Sequence, residues 1–318
     1  MGAHSPAAVS PAVRVDRQSG STEEATYFGP DSGLLGFTSL PSDRLPADRL
    51  PADRLPADRR HDAGVVICSS VHAEFLRNYR REVLLARALC ARGVAVQRFQ
   101  YRGEGNSEGS PEEVTFDRLC EDASAAAAHL RRRSGVSRLI FAGTRLGGLV
   151  AAACARAEAS PVALWEPVLD STRYFREAFR ARMIRDLKEG TDGSVRPSVE
   201  ALVGELRSAG SVDILGYRIH QPFYETSTGR ELATEIGAEP RPILLVQLGK
   251  TSELRADHAG VVAAWETAGF PVETRVVVED EAWWYVGEDW EAEEARPGTA
   301  SLLETTCDWL VRHAGEPS

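Results

Sequence analysis

The stretch Arg138-Leu139-Ile140-Phe141-Ala142-Gly143-Thr144-Arg145-Leu146-Gly147-Gly148-Leu149-Val150-Ala151 decides the fold of this 318-residue chain. Leu139 to Ala142 is a short apolar run bounded by glycine, which predicts a buried strand. From Leu146 to Arg156 the residues are small and helix-compatible, which predicts a helix beginning directly after the strand. Between them the chain reverses over a single residue, Arg145, flanked by Gly143 and Gly147. Glycines in these places let neighbouring backbone approach without a Cβ in the way.

The same alternation extends in both directions. Short strands are expected at 25–28 and 34–40, then Val65 to Cys68, Val94 to Tyr101, Val162 to Trp165, Pro242 to Leu248 and Val272 to Val278. Helices are expected from Phe75 to about Gly93, from Pro111 to Arg133, from Glu253 to Ala268 and from about Ala300 to His313. Strands alternating with helices predict an α/β fold with a doubly wound, mostly parallel sheet covered on both faces. The stretch 168–236 interrupts that rhythm. It is charged, arginine-rich and without a core strand, and is expected to be a helical cap at the C-terminal edge of the sheet, where ligands bind in such folds. The core then comprises 25–167 and 237–318. Residues 1–24, rich in Ser, Ala, Pro and Gly, read as a disordered leader. The pentapeptide Arg44-Leu45-Pro46-Ala47-Asp48 repeats at 49–53 and 54–58; a proline in each copy precludes helix or central strand, so it reads as an expanded surface loop.

Composition narrows the function. A net charge of -10 argues against a nucleic-acid partner, because phosphate binding needs a basic face. No apolar stretch is long enough to span a bilayer and no secretory h-region is evident. Five cysteines at wide spacings form no CxxC pair, so neither a zinc site nor a disulfide framework is indicated, and a reduced, cytoplasmic protein without a cofactor is expected. A small-molecule substrate is the expected partner.

In the pattern G-x-S-x-G a serine nucleophile occupies the central position. Here it is Arg145, whose guanidinium stays protonated and serves neither as nucleophile nor as base. It can bind a carboxylate or stabilise an oxyanion, or it can pair with an internal carboxylate and only hold the fold. The loop after the Ile243–Leu248 region, Gly249 to Glu253, offers Glu253 as an acid. The segment after the last strand reads Glu279-Asp280-Glu281-Ala282-Trp283-Trp284, and no histidine lies between His258 and His313. A Ser-His-Asp relay in its usual order is therefore not encoded. Ser69-Ser70-Val71-His72-Ala73-Glu74 occupies the place of an oxyanion loop, whose N–H groups would converge with that of Leu146. His72 and Glu74 are the remaining proton-transfer candidates, although His72 also reads as an ordinary histidine at a helix start. Glu74 is the expected ion-pair partner of Arg145. Ser69, Ser70, Leu146 and Trp284 are expected around the substrate, and Cys68 reads as an inert buried thiol.

The run from Cys68 to Arg87, the turn Arg102 to Gly109, the elbow from Gly143 to Gly148 and the segment Leu164-Trp165-Glu166-Pro167-Val168-Leu169 together resemble the exosortase-A-system-associated hydrolases. These belong to the serine aminopeptidase-like branch of the α/β hydrolases. The resemblance covers about residues 25–312 and includes a G-x-R-x-G elbow and a late aromatic pair, Trp283-Trp284, followed by Glu288. The sequence departs from it at Asn106 and at Ser69-Ser70. It implies an α/β-hydrolase-fold enzyme with a non-standard site, acting on an ester, thioester or acyl compound through Arg145. The alternative is a non-catalytic relative that binds an acidic ligand or a partner protein in the same pocket.

Overall fold

The computed structural model describes residues 12–15, 21–42, 61–188, 198–279 and 297–315. Nine strands form one sheet: β1 (Ala12–Val15), β2 (Thr22–Phe28), β3 (Leu34–Leu40), β4 (Ala63–Cys68), β5 (Val96–Phe99), β6 (Arg138–Thr144), β7 (Val162–Trp165), β10 (Ile243–Gly249) and β11 (Val272–Val278). Their spatial order is β1-β2-β3-β5-β4-β6-β7-β10-β11. The first three strands join antiparallel and the six from β5 to β11 run parallel. The core strands are apolar on both faces because helices cover both. α1 (Ala73–Ala91) and α9 (Pro297–Gly315) share one face. On the other lie α2 (Phe116–Ser134), α3 (Gly147–Ala157) and α8 (Ala256–Thr267). Ala151, Ala152 and Ala155 of α3 are fully buried, and their small size lets this helix lie close on the sheet.

Chain order fixes where a site can form. From β4 the chain crosses through α1 to β5 on one side, then through α2 to β6 on the other. The reversal opens a crevice at the carboxyl ends of β4 and β6, between residues 69–74 and Arg145.

Three expectations need correction. The leader is not irregular throughout: Ala12–Val15 pairs with Thr22–Ala25 in an antiparallel ladder, and Val13 and Val15 supply its β-branched residues. The 111–133 helix is interrupted. Pro111–Glu113 forms a single 3-10 turn, Val114 and Thr115 are extended, and the Thr115 hydroxyl then caps α2 by accepting from the Arg118 N–H. The inserted segment is not purely helical. α4 (Ser171–Lys188) and α5 (Val199–Ala209) are followed by a hairpin of β8 (Ser211–Ile214) and β9 (Tyr217–His220), then by α6 (Gln221–Ser227) and α7 (Leu232–Ile236). The insertion enters and leaves the core side by side, Ser171 N–H donating to Arg230 O and Leu232 N–H to Leu169 O. α7 then packs on α3, with Leu232 and Ile236 in the core, so it is part of the core rather than of the 168–236 cap. The pentapeptide repeat and Trp283, Trp284 and Glu288 lie outside the described residues. Among the described residues no helix is long and apolar enough to cross a membrane.

Candidate functional site

β6 delivers Arg145 to the top of the sheet at φ +53°, a left-handed conformation that costs a non-glycine residue about 1–2 kcal/mol. Surrounding contacts hold it there. The Arg145 N–H donates to Trp165 O at 3.0 Å, and its carbonyl accepts from Gly148 and Val168. The flanking glycines are sterically required: a Cβ on Gly143 would lie 2.5 Å from Gly147 O, and one on Gly147 would lie 2.2 and 2.3 Å from the carbonyl oxygens of Ser69 and Cys68. The strand-turn-helix elbow is thus fully built around an arginine.

Arg145 is 7% exposed, and its guanidinium sits among aimed groups. Nε donates to Glu74 Oε1 at 3.1 Å, and Nη1 donates to the carbonyl oxygen of Glu166 at 3.2 Å. The Tyr174 hydroxyl from α4 donates to Glu74 Oε2 at 3.4 Å, and the Tyr174 ring lies 5.8 Å from the guanidinium carbon. Burial pushes the Glu74 carboxyl above its usual range, while the Arg145 charge and the Tyr174 hydroxyl oppose that shift.

Arg145 lines a cavity of about 520 Å³ between α4, the segment that follows β7 and the start of α8. The opposite wall carries residues that sequence reasoning did not select. Glu166, at φ +42° after β7, accepts from the Leu248 N–H at 2.8 Å through Oε2 and pairs with Arg255 through Oε1. Arg255 in turn lies against His258, and His258 Nδ1 is 3.1 Å from Asp257 Oδ1. Asp257 Oδ2 also meets Arg173 of α4 at 3.1 Å. A connected set of groups therefore runs from Glu74 through Arg145 to the Glu166 carbonyl oxygen, and from the Glu166 carboxylate through Arg255 to His258 and Asp257. The one signal in the sequence was local: Arg255, Asp257 and His258 cluster at a helix start, and only the positive φ of Glu166 brings its carboxylate to them.

Of the site residues expected from the sequence that lie among the described residues, only Arg145 lines this cavity. Glu74 is behind it, as its ion-pair partner. Ser69 Oγ donates to Glu82 Oε2 at 2.6 Å, and Ser70 Oγ accepts from Asn78 Nδ2 at 2.9 Å, so both hydroxyls are turned into α1. The His72 N–H donates to Glu104 Oε1 at 3.2 Å, so this N–H of the expected oxyanion loop is taken by a buried carboxylate, a correction to that reading. His72 caps α1 at φ +55° and faces Glu104, His220 and the Phe223 ring in a separate pocket of about 50 Å³. Burial, reinforced by the nearby His220, pushes His72 down to about 4, and burial pushes Glu104 up to about 7. The Leu146 side chain is buried in the core, leaving its backbone at the start of α3 as the part nearest the elbow. Trp284 lies outside the described residues. Glu253 contributes its carbonyl, which accepts from Gln247 Nε2. Among the described residues, no cluster of three or more His, Cys, Asp or Glu side chains is arranged to hold a metal ion, and the five cysteines are free thiols.

The family model described as serine aminopeptidase, S33, matches residues 60–189, from before β4 through α4. A search of curated proteins gives no match. Among solved structures, the chain is similar to Est1E from Butyrivibrio proteoclasticus with ferulic acid bound, at 15% identity and TM-score 0.57, over 89% of this chain and 96% of that one. An esterase of Pyrococcus furiosus is similar at 14% identity and TM-score 0.52, over 96% of this chain and 91% of that one. The α/β hydrolase GrgF from Penicillium sp. sh18 is similar at 17% identity and TM-score 0.53, over 96% and 99%. Strand order, elbow and these likenesses agree: the chain has the α/β-hydrolase fold, with an arginine at the position where the elbow presents its central side chain.

Proposed function

We propose that the chain hydrolyses an acyl compound, an ester or thioester, whose carbonyl or carboxylate oxygen is held by Arg145. The observation that carries this reading is the position of the guanidinium: at the elbow, anchored on two sides and lining a cavity of about 520 Å³. A fixed cation there is placed to stabilise charge developing on a carbonyl oxygen, with little reorganisation during the reaction. The His72 N–H is engaged by Glu104, and Arg145 brings a fixed charge to the elbow beside the Leu146 backbone. Similarity to the Pyrococcus furiosus esterase supports an ester substrate, and the serine aminopeptidase match supports hydrolysis. With no serine at the elbow, the attacking group is water rather than an enzyme hydroxyl.

The test is turnover of p-nitrophenyl esters and aryl thioesters of two to eight acyl carbons by the wild type and Arg145→Ala. Expected is wild-type turnover that falls about 10²–10³-fold in the variant, the loss typical of removing one oxyanion donor. Equal turnover in both proteins overturns the role of Arg145. Absence of turnover in the wild type with every probe overturns the reading as a whole.

A further inference from the structure

Across the cavity from Arg145 stands a histidine–carboxylate pair that lies outside any usual triad position. His258 is on the first turn of α8, 2% exposed overall, and lines the same cavity as Arg145. Asp257 Oδ1 lies 3.1 Å from His258 Nδ1 and also accepts from the His258 backbone N–H at 2.9 Å. A carboxylate on Nδ1 places the ring proton there and leaves the lone pair on Nε2. Arg255 Nη2 is 3.2 Å from both ring nitrogens. An atom in the ring plane at those two distances would collide with Cε1, so the guanidinium lies over the ring face and does not block the Nε2 lone pair. Arg255 is held in turn by Glu166, whose carbonyl oxygen binds Arg145. The imidazole and the elbow guanidinium are therefore fixed to one framework.

We infer that His258, oriented by Asp257, is the general base that activates the hydrolytic water in this cavity, an assignment that rests on the hydrolytic reading above. The water proton passes to Nε2 as the water oxygen bonds to the acyl carbon, and the carbonyl electron pair moves onto the oxygen beside Arg145. The carbonyl then re-forms, the bond to the alkoxy or thiolate group breaks, and the leaving group takes the proton from His258. One water is consumed, and one acid and one alcohol or thiol are released.

The charges facing His258 fix its pH behaviour. Burial lowers its pKa from 6.5, Arg255 lowers it further, and Glu166 from the β7 loop and Asp257 on its own helix raise it. Arg173 of α4 faces Asp257 from the inserted segment, and Arg145 faces the cavity from the elbow. The net result is an imidazole that is neutral, and competent as a base, throughout the neutral range, with its acid limb below pH 6.5.

Steady-state kinetics on p-nitrophenyl butyrate and its thioester analogue between pH 4.5 and 9 test the assignment, with thermal melts confirming folding. His258→Gln is expected to lose roughly 10²–10⁴-fold in kcat with KM within about twofold, and to lose the acid limb. Asp257→Asn is expected to lose less in kcat and to move the acid limb to lower pH, because the carboxylate that raised the His258 pKa is gone; a group that only braces the fold would leave the limb in place. If His258→Gln does not fold, the Asp257→Asn limb decides, and an unmoved limb overturns the assignment. Turnover that is lost in Arg145→Ala but survives with its acid limb in His258→Gln overturns the dyad and leaves the hydrolytic reading standing. A wild type inert to every probe overturns both.

Discussion

At the scale of single residues, the site depends on how Arg145 is neutralised. Glu74 is its carboxylate partner at 3.1 Å, and both side chains are more than nine-tenths buried. Such a pair adds little net stability when intact, because desolvation offsets the attraction, but removing one partner strands a buried charge. Glu74→Ala is therefore expected to lose about 3–5 kcal/mol in urea unfolding. The double variant Glu74→Leu with Arg145→Leu is expected to recover most of it, and a double variant as unstable as the single one contradicts the pairing. Arg145 and Glu74 were legible in the sequence because the elbow pattern places them in adjoining loops. His258, Asp257 and Arg255 were not. Their approach to the cavity depends on Glu166 at φ +42°, a backbone state that no local pattern in Trp165-Glu166-Pro167 announces.

At the scale of elements, the strands and helices that place the site were readable because each apolar run is short and ends in glycine, proline or a charged turn. The missed strands β1, β8 and β9 are as short as β7, but polar residues interleave them and deny them the continuous apolar run that made Val162–Trp165 readable. The β8–β9 turn also hides its type. Leu215 and Gly216 have φ +57° and +90°, the signs of a type I′ turn, yet leucine is not a residue that signals one. The seam between the β4 loop and α3 is the least tolerant part of the elbow. Gly147→Ala would press a methyl into two carbonyl oxygens at 2.2–2.3 Å, and is expected to cost about 1–3 kcal/mol or more. Gly204→Ala in α5, where a Cβ meets nothing within 4 Å, is expected to stabilise by about 0.5–1 kcal/mol. Equal effects in chemical denaturation would contradict the steric account.

Over the whole molecule, burial gives individual histidines a defined share in the response to acid. His129, packed on the Phe28 ring, is pushed by burial from 6.5 down to about 4, with Arg132 and Arg133 reinforcing the shift. The unfolded chain binds this proton at pH 6.5 and the fold does not until about pH 4, so stability falls as pH drops through that window. His72 acts in the same direction, but Glu104, raised to about 7, takes up a proton in the fold before the unfolded chain does, and the two largely offset each other. His129→Gln is expected to flatten the fall in Tm between pH 6.5 and 4, by on the order of 2–3 kcal/mol of unfolding free energy at the acid end. An unchanged Tm profile would contradict this assignment.

The same architecture places the site. The reversal between β5 and β6 opens the sheet edge at Arg145, and the inserted segment closes over it through Tyr174 and Arg173. A guanidinium at this point is placed to hold the oxygen that gains charge during acyl transfer to water. Chemical rescue tests it most directly: hydrolysis of p-nitrophenyl butyrate by Arg145→Ala, measured with and without tens of millimolar guanidinium, far below denaturing concentration. Arg145→Ala is expected to be depressed and guanidinium to restore a substantial part of kcat/KM, while sodium at equal ionic strength does not. Arg145→Ala turning over as fast as the wild type, with no response to guanidinium, would contradict it.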